Sequence, residues 1–314
     1  MPAFYSHYSF GLQGYRSIKD QDWKRQIREH HTVYTLGLLG PDLFFYYLPD
    51  VLLGSKKPAM VMHDYKTNRF FEKLLMVSEQ YSGRKREIAQ AYIAGFIGHY
   101  AMDTACHPYI YEMASRHEKP SEWHYRYESA MDIYCCRHFL HRYPSQMNVH
   151  QMLQLSREEM NVVGRLTSEA YNRAYRLPHL FSGTIKGAVF CMHITLSLLR
   201  DRRGSKEYIA RAIEKRLLGF GLISPLFVNF NMYAVDQREI THFEEMFNEG
   251  LERFAEYCNT ILNTAKRYRQ NGRHISYAKE EDCCLCWATC PTIRELLVKR
   301  IICFGFNIFW SGYA

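Results

Sequence analysis

Within GHYAMDTACHP, Gly98 to Pro108, the residues His99, Asp103 and His107 recur every fourth position. On a continuing helix that spacing stacks two imidazoles and a carboxylate on one face. Nitrogen and oxygen donors held by one rigid element are what a borderline-soft divalent ion such as zinc requires. Taken alone, in a chain with 15 histidines, such a triplet is more often a set of hydrogen-bonded, half-buried side chains. A second segment changes that balance. HYRYESAMD, His124 to Asp132, repeats the spacing with His124 and Glu128, just after the breaker Lys119-Pro120. If it forms a helix antiparallel to the first, five ligand-type side chains face one another across a short connection. One zinc takes three or four protein ligands, so five imply a multinuclear site. Its natural chemistry is hydrolysis of a phosphoester by a metal-activated water.

Three upstream residues could join this set. Asp42 follows the Gly40-Pro41 break, where a helix can begin and a carboxylate can point away from it. His63 stands beside Asp64, and His7 lies in SHYSFG. Each has a plain alternative. An Asp after Pro is an ordinary capping residue, and a single histidine is more often incidental than a ligand.

The order of these elements resembles the zinc-dependent phospholipase C family, which shares its fold and a similar three-zinc site with S1/P1-type nucleases. The order runs from an N-terminal His through Gly-Pro-Asp and a His-Asp segment to His-x3-Asp, a further His and His-x2-Tyr-Glu. The resemblance covers roughly the first 140 residues. It implies an all-α fold and a phosphodiesterase carrying two or three Zn2+ ions. It assigns Asp42, His63, His99 and Asp103 to a first zinc, and His107, His124 and Glu128 to a second. His7, with Asp103 shared, falls to a third. Asp42 becomes the residue that orients the attacking water and accepts its proton. Two departures bear on this assignment. Three residues separate Asp103 from His107 where the secreted enzymes have five, so some rearrangement of the second site is expected. The chain begins Met1-Pro2, whereas those enzymes use a processed N-terminal Trp as a ligand.

Helical periodicity dominates the elements that must position these residues, and no run alternates like a strand. Helices are predicted over Asp20–His31, Asn68–Ser82, Lys85–Ala105, Ser121–Tyr143, Val149–Tyr175, Ser182–Arg200, Ser205–Leu218 and Ile240–Arg269. Breaks are expected at Gly40-Pro41, Gly54 to Pro58, His107-Pro108, Lys119-Pro120, Pro178 and Gly204. The reading is an all-α, single multi-helix domain over 1–270. A Cys- and aromatic-rich tail follows over 271–314, ending FGFNIFWSGYA. In that tail Cys283, Cys286 and Cys290 lack a well-spaced fourth ligand and are expected to be ordinary thiols.

At 47 % apolar residues, with 24 Tyr and 19 Phe, the 314-residue chain can bury a sizeable core and is not of disordered composition. Runs such as Phe44-Phe45-Tyr46-Tyr47 and Phe70-Phe71 are expected to build that core. The formal charge of +8 suits a phosphate-bearing substrate such as a phospholipid, and peripheral contact with an anionic membrane. Nucleic acid ranks lower as a partner, since Arg267–Arg273 concentrates too little charge on one face. Met1 to Phe10 lacks the features of a secretory signal, and no apolar stretch reaches the ~20 residues of a membrane span. A cytoplasmic protein is therefore expected, with Cys106, Cys135, Cys136, Cys191 and Cys258 reduced. Two other readings stay open: a nuclease or phosphatase on the same metals, and a non-catalytic, metal-binding member of the family.

Overall fold

The computed structural model describes residues 4–47, 58–118, 120–175, 179–201 and 237–270, with position 49 and a few positions between 205 and 213. Three helices open the chain, α1 (Phe4–Ser17), α2 (Gln21–Glu29) and α3 (His31–Leu39), followed by a 3₁₀ turn, Gly40–Tyr46. Then come α4 (Pro58–Asp64), α5 (Thr67–Ser78), α6 (Gly83–Ser115) and α7 (Pro120–Phe139). After a second 3₁₀ turn, Pro144–Gln146, follow α8 (Val149–Met152), α9 (Arg157–Ala174), α10 (Ser182–Leu199) and α11 (Gln237–Gln270). No strand occurs among the described residues. The fold is all-α.

α6 is the post around which the rest is built. Its 33 residues span about 50 Å, and from Ile88 to Ala105 it is buried on nearly every side. A helix apolar all round belongs in the middle of a protein, and α1, α2, α3, α7, α9 and α11 all pack on it. Its closest neighbour is α3, because Gly37 and Gly95 let the two backbones touch. A Cβ on Gly95 would lie 2.1 Å from the Tyr34 carbonyl oxygen, and one on Gly37 would lie 2.3 Å from that of Tyr92. Aromatic rings fill the remaining space. Phe44, Phe70, Phe71 and Tyr46 are core residues as expected, joined by Phe10, Phe96, Phe243, Phe247 and Phe254. Phe45 departs from the pattern and stacks on His63 instead (6.0 Å between centroids, 24°).

The break expected at His107-Pro108 does not occur, and α6 continues through Pro108 to Ser115. Proline removes the N–H that would bond the carbonyl four residues back, here that of Thr104. Arg253 of α11 replaces it, donating from Nη1 to the Thr104 oxygen (3.3 Å). Tertiary structure thereby carries the helix past a residue that locally would end it.

Two long predicted helices are each two pieces. Asp20–His31 is interrupted at His30, whose buried imidazole is tied to Glu159 (2.7 Å). Val149–Tyr175 is interrupted before Ser156, where a capping box starts α9. There the Glu159 N–H donates to Ser156 Oγ (3.2 Å), and the Ser156 N–H donates to the Glu159 carboxylate (2.8 Å). Helices α1, α3 and α4 were not anticipated. Ser205–Leu218 lies largely outside the described residues, and the cysteine-rich tail wholly so. Among the described residues no helix is long and apolar enough to cross a membrane, and Cys106, Cys135, Cys136, Cys191 and Cys258 are free thiols.

Candidate metal centre

Five elements deliver eight side chains to one end of the α6 core. α1 supplies His7, the first 3₁₀ turn Asp42, α4 His63, α6 His99, Asp103 and His107, and α7 His124 and Glu128. Because α6 runs on without a break, His99, Asp103 and His107 do stack on one face. The turn that brings Asp42 depends on its Gly-Pro start. Gly40 has φ +51°, and a Cβ there would meet the His99 ring at 2.6 Å. Only glycine tolerates both conditions. Pro41 then fixes the first turn of the 3₁₀ segment.

Asp103 sits at the middle. Its Oδ2 lies 3.0 Å from His99 Nε2 and 3.5 Å from His63 Nε2. Its Oδ1 lies 3.2 Å from His7 Nε2 and 3.8 Å from His107 Nε2. Asp42 Oδ1 approaches His63 Nε2 at 3.3 Å. On the other side, Glu128 Oε1 is 3.1 Å from His124 Nε2 and 3.6 Å from His107 Nε2. These contacts resolve into three groups whose donor atoms lie within 4.8 Å of one another: Asp42, His63 and His99; His7, His99 and Asp103; His107, His124 and Glu128. All eight sequence-predicted residues are thus gathered. His107 reaches both Asp103 and Glu128 despite the shorter spacing, since it stands one helical turn past Asp103.

The donors are arranged for a cation. His63 Nδ1 lies 2.8 Å from the Ala59 carbonyl and His99 Nδ1 lies 3.2 Å from that of Leu38. A carbonyl only accepts, so each Nδ1 carries a proton and each ring, once neutral, presents an Nε2 lone pair. Those two Nε2 atoms are 3.4 Å apart, and Asp103 Oδ2 between them is buried without a hydrogen bond. Lone pairs converging at such distances repel unless a positive charge lies among them. The residues present therefore fit a divalent ion. Nothing in the sequence marks Leu38 or Ala59, because the groups they contribute are backbone carbonyls.

Electrostatics points the same way. Burial works against charge on His63, but the adjacent Asp103 and Asp42 carboxylates override it and push its pKa up to about 9. His107 is likewise opposed by burial, yet Asp103 and Glu128 raise it to about 9. Burial would raise Asp103, and the surrounding imidazoles, His107 and His99 first, hold it well below the usual carboxylate range. His99, fully buried, goes the other way: desolvation lowers it despite Asp103. These carboxylates thus favour positive charge at His63 and His107, the charge that a bound cation would supply instead.

A buried carboxylate that sequence reasoning passed over also serves the site. Asp132, two turns beyond His124 on the same face of α7, accepts from the Ser6 N–H (2.7 Å) and Ser6 Oγ (2.6 Å). It anchors the first turn of α1 and so places His7. Its signal was its i+4 relation to Glu128.

Comparison with known families agrees with this geometry. The family model for zinc-dependent phospholipase C matches residues 6–176, more than half of the chain. Searches of curated proteins and of solved structures return no match. The matched region extends past residue 140, where the motif resemblance stops, and takes in α8 and α9, which carry no ligand; α9 packs on α5 and α6. All eight candidate ligands lie inside it. On that match, the chain belongs to the zinc-dependent phospholipase C family.

Proposed function

We propose that this protein hydrolyses a phosphodiester in the manner of a phospholipase C, on two or three zinc ions held by the eight side chains above. The observation that carries the reading is Asp103, with both carboxylate oxygens turned to imidazole Nε2 atoms of different groups, so that it would hold two cations together. Zinc bound there makes water a usable nucleophile near neutral pH and offsets negative charge on the phosphoryl group.

The chain's own residues supply the rest. His63 and His99 are locked by their Nδ1–H bonds to Ala59 and Leu38, so their lone pairs keep a fixed aim. Asp42 is 5 % exposed and fixed by the 3₁₀ turn. Its carboxylate orients the attacking water and accepts its proton as the oxygen bonds to phosphorus. The phosphorus–oxygen bond to the leaving group breaks in the same displacement; the departing alkoxide takes a proton from solvent water, and Asp42 returns its proton to solvent. With a phospholipid the products are diacylglycerol and a phosphorylated head group. His63, His107 and His124 are the half-buried members, so substrate approaches from their side.

The test joins metal analysis to turnover. Purified protein should hold at least two zinc equivalents and cleave phosphatidylcholine or bis-p-nitrophenyl phosphate. Asp103→Asn should keep its helical spectrum, lose at least one zinc and lose more than the 10- to 100-fold typical of outer-shell changes. Less than one metal per chain after zinc loading would leave the family fold without its chemistry. Preference for single-stranded DNA over both esters would make the protein a nuclease.

A further inference from the structure

α10 is apolar on both sides. Its inner face, Ile185, Ala188, Val189 and Met192, is buried against the 3₁₀ turn that carries Asp42 and against α9. Contact with the end of that turn is close, since a Cβ on Gly187 would lie 2.8 Å from the Tyr47 ring. The outer face should be polar on a helix that meets only water. Instead Phe190, Ile194 and Leu198, spaced four apart along one face, are 64 %, 40 % and 65 % exposed. Lys206 Nζ donates to the Leu198 carbonyl (2.7 Å), which brings the next segment against the end of the stripe. There Ile209 and Ile213 are 55 % and 51 % exposed. A contiguous apolar surface of this kind marks a site of contact.

Charge says with what. Residues 182–216 carry eight Lys or Arg against three acids. Exposed Lys186 lies one turn before Phe190 on the same face, and Lys206 adjoins its far end. An apolar stripe bordered by cations is the surface chemistry of a helix lying in the headgroup layer of an anionic bilayer. We infer that the outer face of α10 docks the protein on a phospholipid surface containing anionic lipid, one layer behind the turn that holds Asp42. The inference rests on the phospholipid-hydrolase reading and names the surface from which that substrate would be drawn.

The test uses the full zinc-loaded chain and two vesicle types, phosphatidylcholine alone and phosphatidylcholine with phosphatidylserine. Wild-type protein should sediment with the mixed vesicles and only weakly with the neutral ones. The double variant Phe190→Ser, Leu198→Ser should lose at least tenfold in vesicle affinity. It should keep its melting temperature and its turnover of soluble bis-p-nitrophenyl phosphate. Failure of wild type to bind the mixed vesicles, or equal binding by the double variant, overturns the docking surface. A melting temperature lowered by several degrees would show that the chain's own apolar segment, 217–235, covers the face. A wild-type dimer that the variant dissolves would show that a second copy covers it; either result overturns the proposal. Vesicle binding without ester hydrolysis would count against the catalytic reading alone, and hydrolysis without binding against this one alone.

Discussion

His63 and His107 show how the fold prepares one residue type for the proposed metal. Each is pressed between carboxylates that lift its pKa to about 9 from an ordinary 6.5. In metal-free protein that protonation stabilises the fold, since the raised value belongs to the folded state alone. The contribution is full below pH 6.5 and vanishes as pH climbs through about 9. It amounts to about 3 kcal/mol per residue as an upper bound, and both side chains are at least three-quarters shielded from solvent. Zinc binding has the opposite sign, because its ligands must give up those protons. The melting temperature of metal-stripped protein should therefore fall between pH 6.5 and 9.5, and the gap to zinc-loaded protein should widen. Scanning calorimetry of both forms across that range checks it. Parallel curves would mean that the two imidazoles are not the groups that exchange protons for metal.

At the scale of elements, the passage of α6 through Pro108 depends on Arg253. Removing the guanidinium leaves the Thr104 carbonyl without its partner, a loss of about 1–2 kcal/mol. Pro108→Ala restores the N–H that would satisfy that carbonyl from within the helix. Arg253→Ala should thus cost about 1 kcal/mol or more in the native background and clearly less beside Pro108→Ala. Urea unfolding of the four proteins in a double-mutant cycle measures the difference. Additive costs would disconnect the arginine from the proline. The same junction shows what sequence could give and what it could not. His99, Asp103 and His107 were legible because helical spacing is local. Their continuation past Pro108 was not, because the compensating donor lies 149 positions from the carbonyl it serves. α1 escaped notice for a similar reason. Gly11 and Gly14 lower its helical propensity, yet they are needed where Leu38 and the Phe254 ring press on it. Asp42 was placed by its Gly-Pro turn, but the reason for glycine, the His99 ring beside it, exists only in the folded chain. His30 interrupts a predicted helix through its bond to Glu159 on another element, whereas Ser156 starts α9 through a local capping box with Glu159.

For the whole molecule, the family match and the folding unit have different limits. The match ends at residue 176, whereas α11 lies beyond it and closes the core over α1 and α6. Phe243, Phe247 and Phe254 are essentially inaccessible to solvent, and Phe254 packs beside Phe10 in the space left by Gly14. Truncating such a ring costs about 3–5 kcal/mol. Phe254→Ala should destabilise the protein by that amount in urea and loosen zinc retention, since α1 carries His7. A change below 1 kcal/mol would make α11 a peripheral addition.

The eight side chains of the metal centre are drawn from positions 7 to 128, and the Ser6–Asp132 bond that anchors α1 spans 126 residues. At synthesis rates of roughly 5–20 residues per second, His7 is added some 6 to 24 s before Glu128. The Asp42, His63, His99 and the His7, His99, Asp103 groups have all their residues once Asp103 is added, whereas the His107, His124, Glu128 group waits for α7. A metal set held by all eight side chains would therefore be completed only after α7 is made and packed on α6. Zinc taken up at that stage would add its binding free energy to a scaffold that the apolar core already holds together.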